Sequence, residues 1–320
     1  MLTSVPDIDE VFLKVLKDHT AGDPMNEKVI WTDLTHGEIA EKMQDSGITI
    51  SGKVVKQLLK KHGYVKRKAQ KTLSIGSFEQ RNEQFENIAK LRKRYEEVGN
   101  PIISVDTKKK EFLGNLYRQG EIYTTEAIDV FDHDFPYLAD GIIIPHTIYD
   151  IMNNKAYVNI GTSKDTSEFA CDSIRQWWYT CGQYDYPNAT SILLLSDSGG
   201  SNSYRHYIFK SDLQELADEI GVEIRVAHYP PYSSKWNPVE HRVFPYITRS
   251  LQGVILKSYE LVKELIEKTT TKKGLKVKAH IMRKIYQTKR KVADNFKETM
   301  RIIFDDYLGK LNYRAVPIAV

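Results

Sequence analysis

The stretch Ile192-Leu193-Leu194-Leu195-Ser196-Asp197-Ser198-Gly199-Gly200 is a continuous apolar run that ends in an aspartate and a glycine-containing loop. A short apolar run without alternation is typical of a strand that is buried on both faces of a sheet. Apolar residues at helical spacing follow in residues 207–220, and a second strand-like run occupies residues 222–226. This alternation of strands and helices predicts a sheet with helices on both faces.

Three further runs upstream are rich in β-branched and aromatic residues and occupy residues 102–105, 141–149 and 156–160. Asn153-Asn154 separates the last two runs and is typical of a hairpin turn, so these strands are expected to be antiparallel. A long helix is predicted from Thr166 to about Tyr184. Antiparallel strands followed by alternating helices and strands predict an α/β fold, namely a ribonuclease H-like mixed sheet flanked by helices.

The first 75 residues predict a small helical domain. Residues 8–20 have the apolar spacing of an amphipathic helix that ends at Gly22-Asp23-Pro24, and Thr35-His36-Gly37-Glu38 is a capping box that opens a second helix. A third helix is predicted from Ser51 to His62-Gly63. The last two helices form a helix-turn-helix candidate, in which the second carries the lysines of the recognition position: Lys53, Lys56, Lys60 and Lys61. A packing module without DNA contact would show the same spacing.

These patterns divide the chain into four regions. Residues 1–75 are expected to be the helix-turn-helix region, and residues 76–100 a helical connector that ends at Gly99-Asn100-Pro101. Residues 101–268 are expected to form the ribonuclease H-like catalytic domain, and residues 269–320 a basic C-terminal region.

The bulk composition is that of a globular protein, with 41% hydrophobic and 28% charged residues among 320. No run approaches the ~20 apolar residues of a membrane span, and the N-terminus lacks the pattern of a signal peptide. A cytoplasmic, nucleoid-associated protein without a membrane partner is therefore expected. The two cysteines, Cys171 and Cys181, lie in a helical pattern without paired histidines, so neither a disulfide nor a zinc site is expected.

The net charge of +4 is unevenly distributed along the chain. Residues 51–71 contain eight lysines and arginines and no acidic residue, and residues 269–291 contain nine and none. Two acid-free stretches on either side of an acidic site favour contact with nucleic acid. The alternative is that each stretch is a solvated helix face.

Three acidic residues stand where elements begin or end. Asp106 ends the apolar run 102–105, Asp197 ends the run 192–196, and Glu240 opens a helix after Lys235-Trp236-Asn237-Pro238. Carboxylates on rigid elements suit Mg²⁺, which prefers oxygen ligands and is usually held by few carboxylates together with substrate phosphates. Phosphodiester chemistry on DNA is the function that this pattern favours.

Each acidic residue also has a structural alternative. Asp106 could simply start a loop, because aspartate is common where a strand turns. Asp197 could form an Asx turn. Asn237, Pro238 and Glu240 could together form a capping box, which would explain all three residues without catalysis.

Three segments resemble the motifs of one known family: residues 104–111 around Asp106, residues 196–205 around Asp197, and residues 234–244 around Glu240. They are similar to the Rhodopirellula-type insertion-sequence transposases of the DDE transposase and retroviral integrase superfamily. The resemblance runs from about residue 22 to residue 275 and includes Arg175-Gln176-Trp177-Trp178.

The resemblance implies that Asp106, Asp197 and Glu240 form a metal-binding catalytic triad, with 90 and 42 residues between successive members. It implies two Mg²⁺ or Mn²⁺ ions about 4 Å apart and in-line phosphoryl transfer. The implied substrate is double-stranded DNA at the element's ends and at its target, and the protein is expected to be a homo-oligomer on that DNA. Residues near the motifs are expected to contact phosphates: Lys108, Lys235, His241 and Arg242.

Members of this family usually carry a further helix-turn-helix before the point that corresponds to Met1. One alternative is therefore a shortened, non-cutting DNA-binding remnant that occupies or represses element ends. Another is a ribonuclease H that acts on RNA–DNA hybrids, although the helix-turn-helix and the basic stretches would then be unexplained.

Overall fold

The computed structural model describes residues 7–17, 19–23, 26–67, 80–131, 136–200 and 203–318. It divides into two compact units at residues 73 and 74. None of the described helices is long and apolar enough to cross a bilayer.

The first unit contains three helices and a hairpin: α1 (Ile8–Lys17), β1 (Thr20–Asp23), β2 (Asn26–Thr32), α2 (His36–Asp45) and α3 (Gly52–Lys61). The predicted capping box is present at the start of α2. The Thr35 hydroxyl accepts from the Glu38 amide at 3.3 Å, and the Glu38 carboxylate accepts from the Thr35 amide at 2.6 Å. One buried side of each helix builds the core of this unit: Ile8, Phe12, Leu16, Ile39, Met43, Val55 and Leu58.

The predicted helices of this unit are confirmed, but the extent of the first is wrong. It ends at Lys17, and β1 and β2 then pair antiparallel, with Ala21 opposite Trp31. The four residues of β1, Thr-Ala-Gly-Asp, lack the alternation of apolar and polar residues that predicts a strand. They are extended because they pair with β2, and this pairing cannot be predicted from their own sequence. Pro24, which the sequence assigned to the helix stop, lies outside the described residues.

The second unit is built on a sheet of nine described strands: β3 (Ile102–Thr107), β4 (Glu111–Leu113), β5 (Gly141–Asp150), β6 (Lys155–Gly161), β7 (Ser191–Ser196), β8 (Glu223–His228), β9 (Lys276–Met282), β10 (Ile302–Phe304) and β11 (Asn312–Ala315). Their order is β10-β11-β8-β7-β3-β5-β6-β9, and β4 pairs with β5. β3, β5 and β6 pair antiparallel, whereas β3, β7 and β8 pair parallel. This mixed arrangement confirms the predicted ribonuclease H-like fold.

Helices cover both faces of this sheet: α4 (Arg81–Val98), α5 (Ser167–Trp177) with a π-helical turn (Trp178–Gly182) and α6 (Gln183–Asp185), α7 (Tyr207–Ile220), α8 (Pro238–Arg242), α9 (Phe244–Leu251), α10 (Tyr259–Glu267) and α11 (Phe296–Thr299). Successive residues of β3 point to opposite faces. Ile103 and Val105 join the core under α5 and α7, whereas Ile102 joins the core under α4.

Two regions that the sequence set apart belong to this second unit. The helix expected as a connector is α4, and its residues Ile88, Leu91 and Tyr95 pack in one buried cluster with Ile102 and other sheet residues. The residues after 268 contribute β9, which pairs with β6, and β10 and β11, which extend the sheet beyond β8. Strands of three or four residues that pair with distant partners leave little local pattern in a sequence.

Candidate active site

Two of the three acidic residues are delivered by neighbouring parallel strands. Val105 of β3 lies opposite Ser196 of β7 in the sheet register, so the residues that follow, Asp106 and Asp197, emerge side by side. This is the carboxyl edge of the parallel part of the sheet, where ligands commonly bind in α/β folds. The strand ends therefore fix both carboxylates on one rigid edge.

The third carboxylate comes from α8. Glu240 lies in this short helix, and one carboxylate oxygen from each of Asp106, Asp197 and Glu240 lies within 4.8 Å of the others. All three residues are partly buried. The structure thus brings together the three acidic residues that the sequence singled out, although they are far apart along the chain.

Asn237 fixes α8 to both strand ends. Its side chain is fully buried and accepts a hydrogen bond from the Ser104 hydroxyl. Its amide nitrogen Nδ2 lies 3.3 Å from the Val105 carbonyl oxygen and 3.2 Å from Oδ1 of Asp197, and donates to both. The Ser104 hydroxyl also accepts from the Val239 amide at 3.2 Å. One buried amide therefore connects β3, Asp197 and the start of the helix that carries Glu240.

These contacts contradict the capping-box interpretation of Glu240. Asn237 stands at the N-cap position and Pro238 follows at the first helical position, as the sequence predicts. However, the Asn237 side chain makes no capping hydrogen bond, because Ser104, Val105 and Asp197 engage it instead. The carboxylate of Glu240 faces the other two acids and shares a side-chain hydrogen bond with Asp106.

Burial and mutual repulsion shape the electrostatics of the cluster. Burial, followed by the charge of Asp197, raises the pKa of Asp106 to about 8, although the Thr107 amide opposes this by donating to Oδ1 at 2.8 Å. Burial also raises the pKa of Asp197 to about 6, against the hydrogen bond from Asn237. Within the described part of the chain, no basic side chain forms an ion pair with any of the three carboxylates.

An oxygen-only donor set of this kind fits a hard divalent cation such as Mg²⁺ or Mn²⁺. The carboxylates repel one another, and no cation from the described residues is paired with them. A bound divalent ion would therefore offset the electrostatic repulsion among the three carboxylates. The cluster is therefore suited to a metal site. A buried ion pair, the usual alternative for grouped acids, is absent among the described residues.

The predicted phosphate contacts fall into two groups. Lys235, His241 and Arg242 are exposed and lie within five residues of Glu240 in the chain. Lys108 is a correction: its side chain is only 8% exposed, and its ammonium donates to the Glu111 carboxylate at 2.8 Å. Because Lys108 is buried in this ion pair, the structure does not support the predicted phosphate contact at this residue.

The lysines of α3 were also predicted to contact DNA. Lys53, Lys56, Lys60 and Lys61 are all exposed, and Lys61 also forms an ion pair with Asp9 of α1. The basic stretch 51–71 is described only up to residue 67.

The second basic stretch, residues 269–291, is partly neutralised by ion pairs: Arg283 with Glu260, Lys284 with Glu168 and Asp172, and Arg290 with Glu168 and Asp212. Lys276 and Lys278 remain exposed on β9. Fewer of these residues are available to DNA than the sequence count suggested.

Sequence reasoning missed the contribution of Ser104 and assigned Asn237 to a cap. Ser104 is fully buried between the apolar residues Ile103 and Val105 of β3. A polar residue between buried apolar neighbours could have indicated a required hydrogen bond, since buried hydroxyls are nearly always paired.

Comparison with known proteins decides the family. The family model described as "Rhodopirellula transposase DDE domain" matches residues 12–317. The chain belongs to this transposase family. The predicted resemblance is therefore confirmed, and it extends over nearly the whole chain.

Solved structures that are partly similar to the chain include complexes of the Mos1 transposase. The Mos1 paired-end complex with left transposon end is 15% identical, with coverage of 80% of this chain and 68% of that chain and a TM-score of 0.42. A pre-cleavage Mos1 transpososome is 14% identical, with coverage of 80% and 69% and a TM-score of 0.44. The Mos1 mariner paired end complex with Mn is 16% identical, with coverage of 80% and 69% and a TM-score of 0.41. No curated protein sequence matches the chain significantly.

Proposed function

We propose that the protein is a DNA transposase that cuts double-stranded DNA at the ends of its element and joins those ends to a target. Membership of a DDE transposase family supports this activity class. The observation that carries the proposal is the convergence of Asp106, Asp197 and Glu240 from three elements to within 4.8 Å. Raised pKa values at two of these acids are typical of functional sites rather than of surface carboxylates.

Asp106, Asp197 and Glu240 would hold the metal, proposed as two Mg²⁺ or Mn²⁺ ions. When bound, such ions would activate a water molecule or the 3′-hydroxyl of a DNA end as the nucleophile, and would offset the negative charge of the phosphoryl group. The protein's own contribution is positional: Asn237 holds Asp197, and the Thr107 amide holds Asp106. These fixed hydrogen bonds keep two ligands in place before substrate arrives, which lowers the cost of organising the site.

Exposed basic residues would bind the DNA backbone. Lys235, His241 and Arg242 adjoin the cluster in the chain, and Lys53, Lys56 and Lys60 of α3 would contact a DNA groove and its phosphates. Phosphate contacts of this kind give affinity without sequence preference. Joining requires two element ends to meet, so we also propose that two or more copies assemble on DNA.

Strand cleavage tests this proposal. Duplexes that carry the sequences flanking the protein's own gene are incubated with protein and Mg²⁺ or Mn²⁺, and new ends are resolved on a denaturing gel. The wild type should cut, Asp197→Asn should bind DNA without cutting, and Asp185→Asn should cut normally. Asp185 is the matched control, because its carboxylate is ion-paired with Lys155 at the surface. Tight binding by the wild type without any cutting would contradict the proposal and favour a DNA-binding remnant.

A further inference from the structure

Lys210 is a buried cation without a carboxylate partner. It lies in α7, its side chain is 2% exposed, and no acidic side chain lies within ion-pairing distance among the described residues. Taking an ammonium out of water is costly unless other groups compensate the charge. Burial also lowers the pKa of Lys210, to about 8, which leaves the ammonium mostly charged at neutral pH. A buried ammonium that keeps its charge despite this desolvation cost is expected to have a specific role.

Aromatic rings and one carbonyl surround this ammonium. Its Nζ lies 4.7 Å from the ring centroid of Tyr313, 5.9 Å from that of Phe304 and 5.5 Å from that of Tyr207. The negative faces of aromatic rings attract cations, so the rings partly replace the missing carboxylate. The ammonium donates a hydrogen bond to the Tyr204 carbonyl oxygen at 2.5 Å. Lys210 thereby ties the segment that follows Asp197 to β10 and β11.

A second contact leads from Tyr313 to Asp197 itself. His228 is fully buried, and its Nδ1 lies 2.9 Å from the backbone carbonyl oxygen of Asp197, while its Nε2 lies 3.0 Å from the Tyr313 hydroxyl. The Asp197 carbonyl can only accept, so Nδ1 carries a proton and donates to it, and in the neutral ring Nε2 then accepts from the Tyr313 hydroxyl.

We propose that Lys210, His228 and Tyr313 form a loop clamp that positions Asp197 as a metal ligand. The clamp holds the chain at two points after β7, namely the carbonyls of Asp197 and Tyr204, and both contacts depend on Tyr313. Tyr313 of β11 is thus a positioning residue for a site in which it takes no direct part. This inference rests on the proposed metal-binding function of the triad.

The clamp also gives the terminal strands a role in the site. β10 and β11 pair at the edge of the sheet beyond β8, and they supply Phe304 and Tyr313 to Lys210. An apolar side chain at position 210 would fill the same space without donating to the Tyr204 carbonyl. The charge is therefore explained by its bond to the segment after Asp197 rather than by packing.

Tyr313→Phe tests the clamp with little change in packing, because it removes only the hydroxyl that donates to His228. Tyr95→Phe is the matched control, since the buried Tyr95 hydroxyl bonds to the Ser191 hydroxyl at 2.5 Å, at the opposite end of β7 from Asp197. Mn²⁺ is titrated against each purified full-length protein, and the shift in melting temperature is recorded. Tyr313→Phe should raise the half-saturating Mn²⁺ concentration by about 10-fold, the lower range for outer partners of metal ligands. Tyr95→Phe should leave it unchanged.

A second measurement tests the clamp without metal. Lys210→Met should accelerate hydrogen exchange at the amides of Ser203 and His206, which donate to the carbonyls of Gly200 and Ser203. Exchange within α10 should stay at its wild-type rate. Unchanged exchange in the segment after Asp197, or equal Mn²⁺ dependence for Tyr313→Phe and Tyr95→Phe, would overturn the clamp. A wild type that shows no Mn²⁺ response would instead contradict the proposed metal site, and hydrogen exchange would still decide whether the clamp exists.

Discussion

Replacing Asp106 by asparagine should stabilise the metal-free protein. The substitution keeps the shape of the side chain and its bond from the Thr107 amide, but removes one of three mutually repelling charges. Two unit charges 4.8 Å apart repel by about 3.5 kcal/mol at an effective dielectric constant near 20. Partial exposure and partial protonation reduce this value, so we expect a gain of about 1–3 kcal/mol at pH 8.

The gain should depend on pH in a defined direction. The pKa of Asp106 is about 8 in the folded protein against an ordinary value of 3.8, so the folded protein binds more protons than the unfolded chain between these values. Stability of the wild type therefore falls as the pH rises through this window, whereas Asp106→Asn removes that contribution. The difference between the two proteins should be small at pH 5 and largest above pH 8.

Thermal unfolding at several pH values measures this effect. A gain of 1–3 kcal/mol corresponds to a rise of about 3–10 °C in the melting temperature for a unit of this size. Added Mg²⁺ should raise the melting temperature of the wild type by neutralising the three carboxylates, and should raise that of Asp106→Asn much less. A variant less stable than the wild type at pH 8 without metal, or an equal response of both proteins to Mg²⁺, would refute the electrostatic reasoning.

Three further predictions concern the surroundings of the site and the first unit. Asn237→Ala should destabilise the protein by about 2–4 kcal/mol in urea unfolding, because it leaves the Val105 carbonyl and the Ser104 hydroxyl without their buried partner; a loss below 1 kcal/mol would contradict its linking role. Lys235→Ala should weaken DNA binding and reduce the slope of log affinity against log salt concentration by about one phosphate contact, whereas Lys108→Met should leave this slope unchanged. Fluorescence anisotropy at several salt concentrations measures the slope for both variants. Thr35→Ala should lower the free energy of unfolding by about 1 kcal/mol and speed hydrogen exchange in α2. Ser51→Ala changes an N-cap without a side-chain hydrogen bond and should have little effect on α3. Equal effects of the two changes would contradict the capping assignment.

The strand ends of the site could be predicted because their signals are local. An apolar run followed by an aspartate marks a strand end whatever the partner strands are, and two such ends, at Asp106 and Asp197, predict a shared edge. The capping box of Thr35 and Glu38 is equally local, since both partners lie within four residues. Glu240 was predicted on the weaker ground of its neighbours, and the structure brings it to the same edge.

Other features depend on partners far away in the chain, and no local pattern could indicate them. Asn237 fits an N-cap by sequence, but its side chain is engaged by Ser104, which lies 133 residues away. Lys108 looks like one of a run of exposed lysines, yet β4 brings Glu111 against it. β11 is four residues long, and its pairing with β8 decides where Tyr313 lies.

The most direct test of the central claim is to locate the metal itself. Crystals of the protein grown with duplex DNA and MnCl₂ would be measured at the manganese absorption edge, where anomalous scattering identifies the ion. We expect anomalous peaks bounded by the carboxylates of Asp106, Asp197 and Glu240, and their loss in crystals of Asp197→Asn. Ordered carboxylates without an anomalous peak among them, or a peak that persists in the variant, would contradict the proposed metal site.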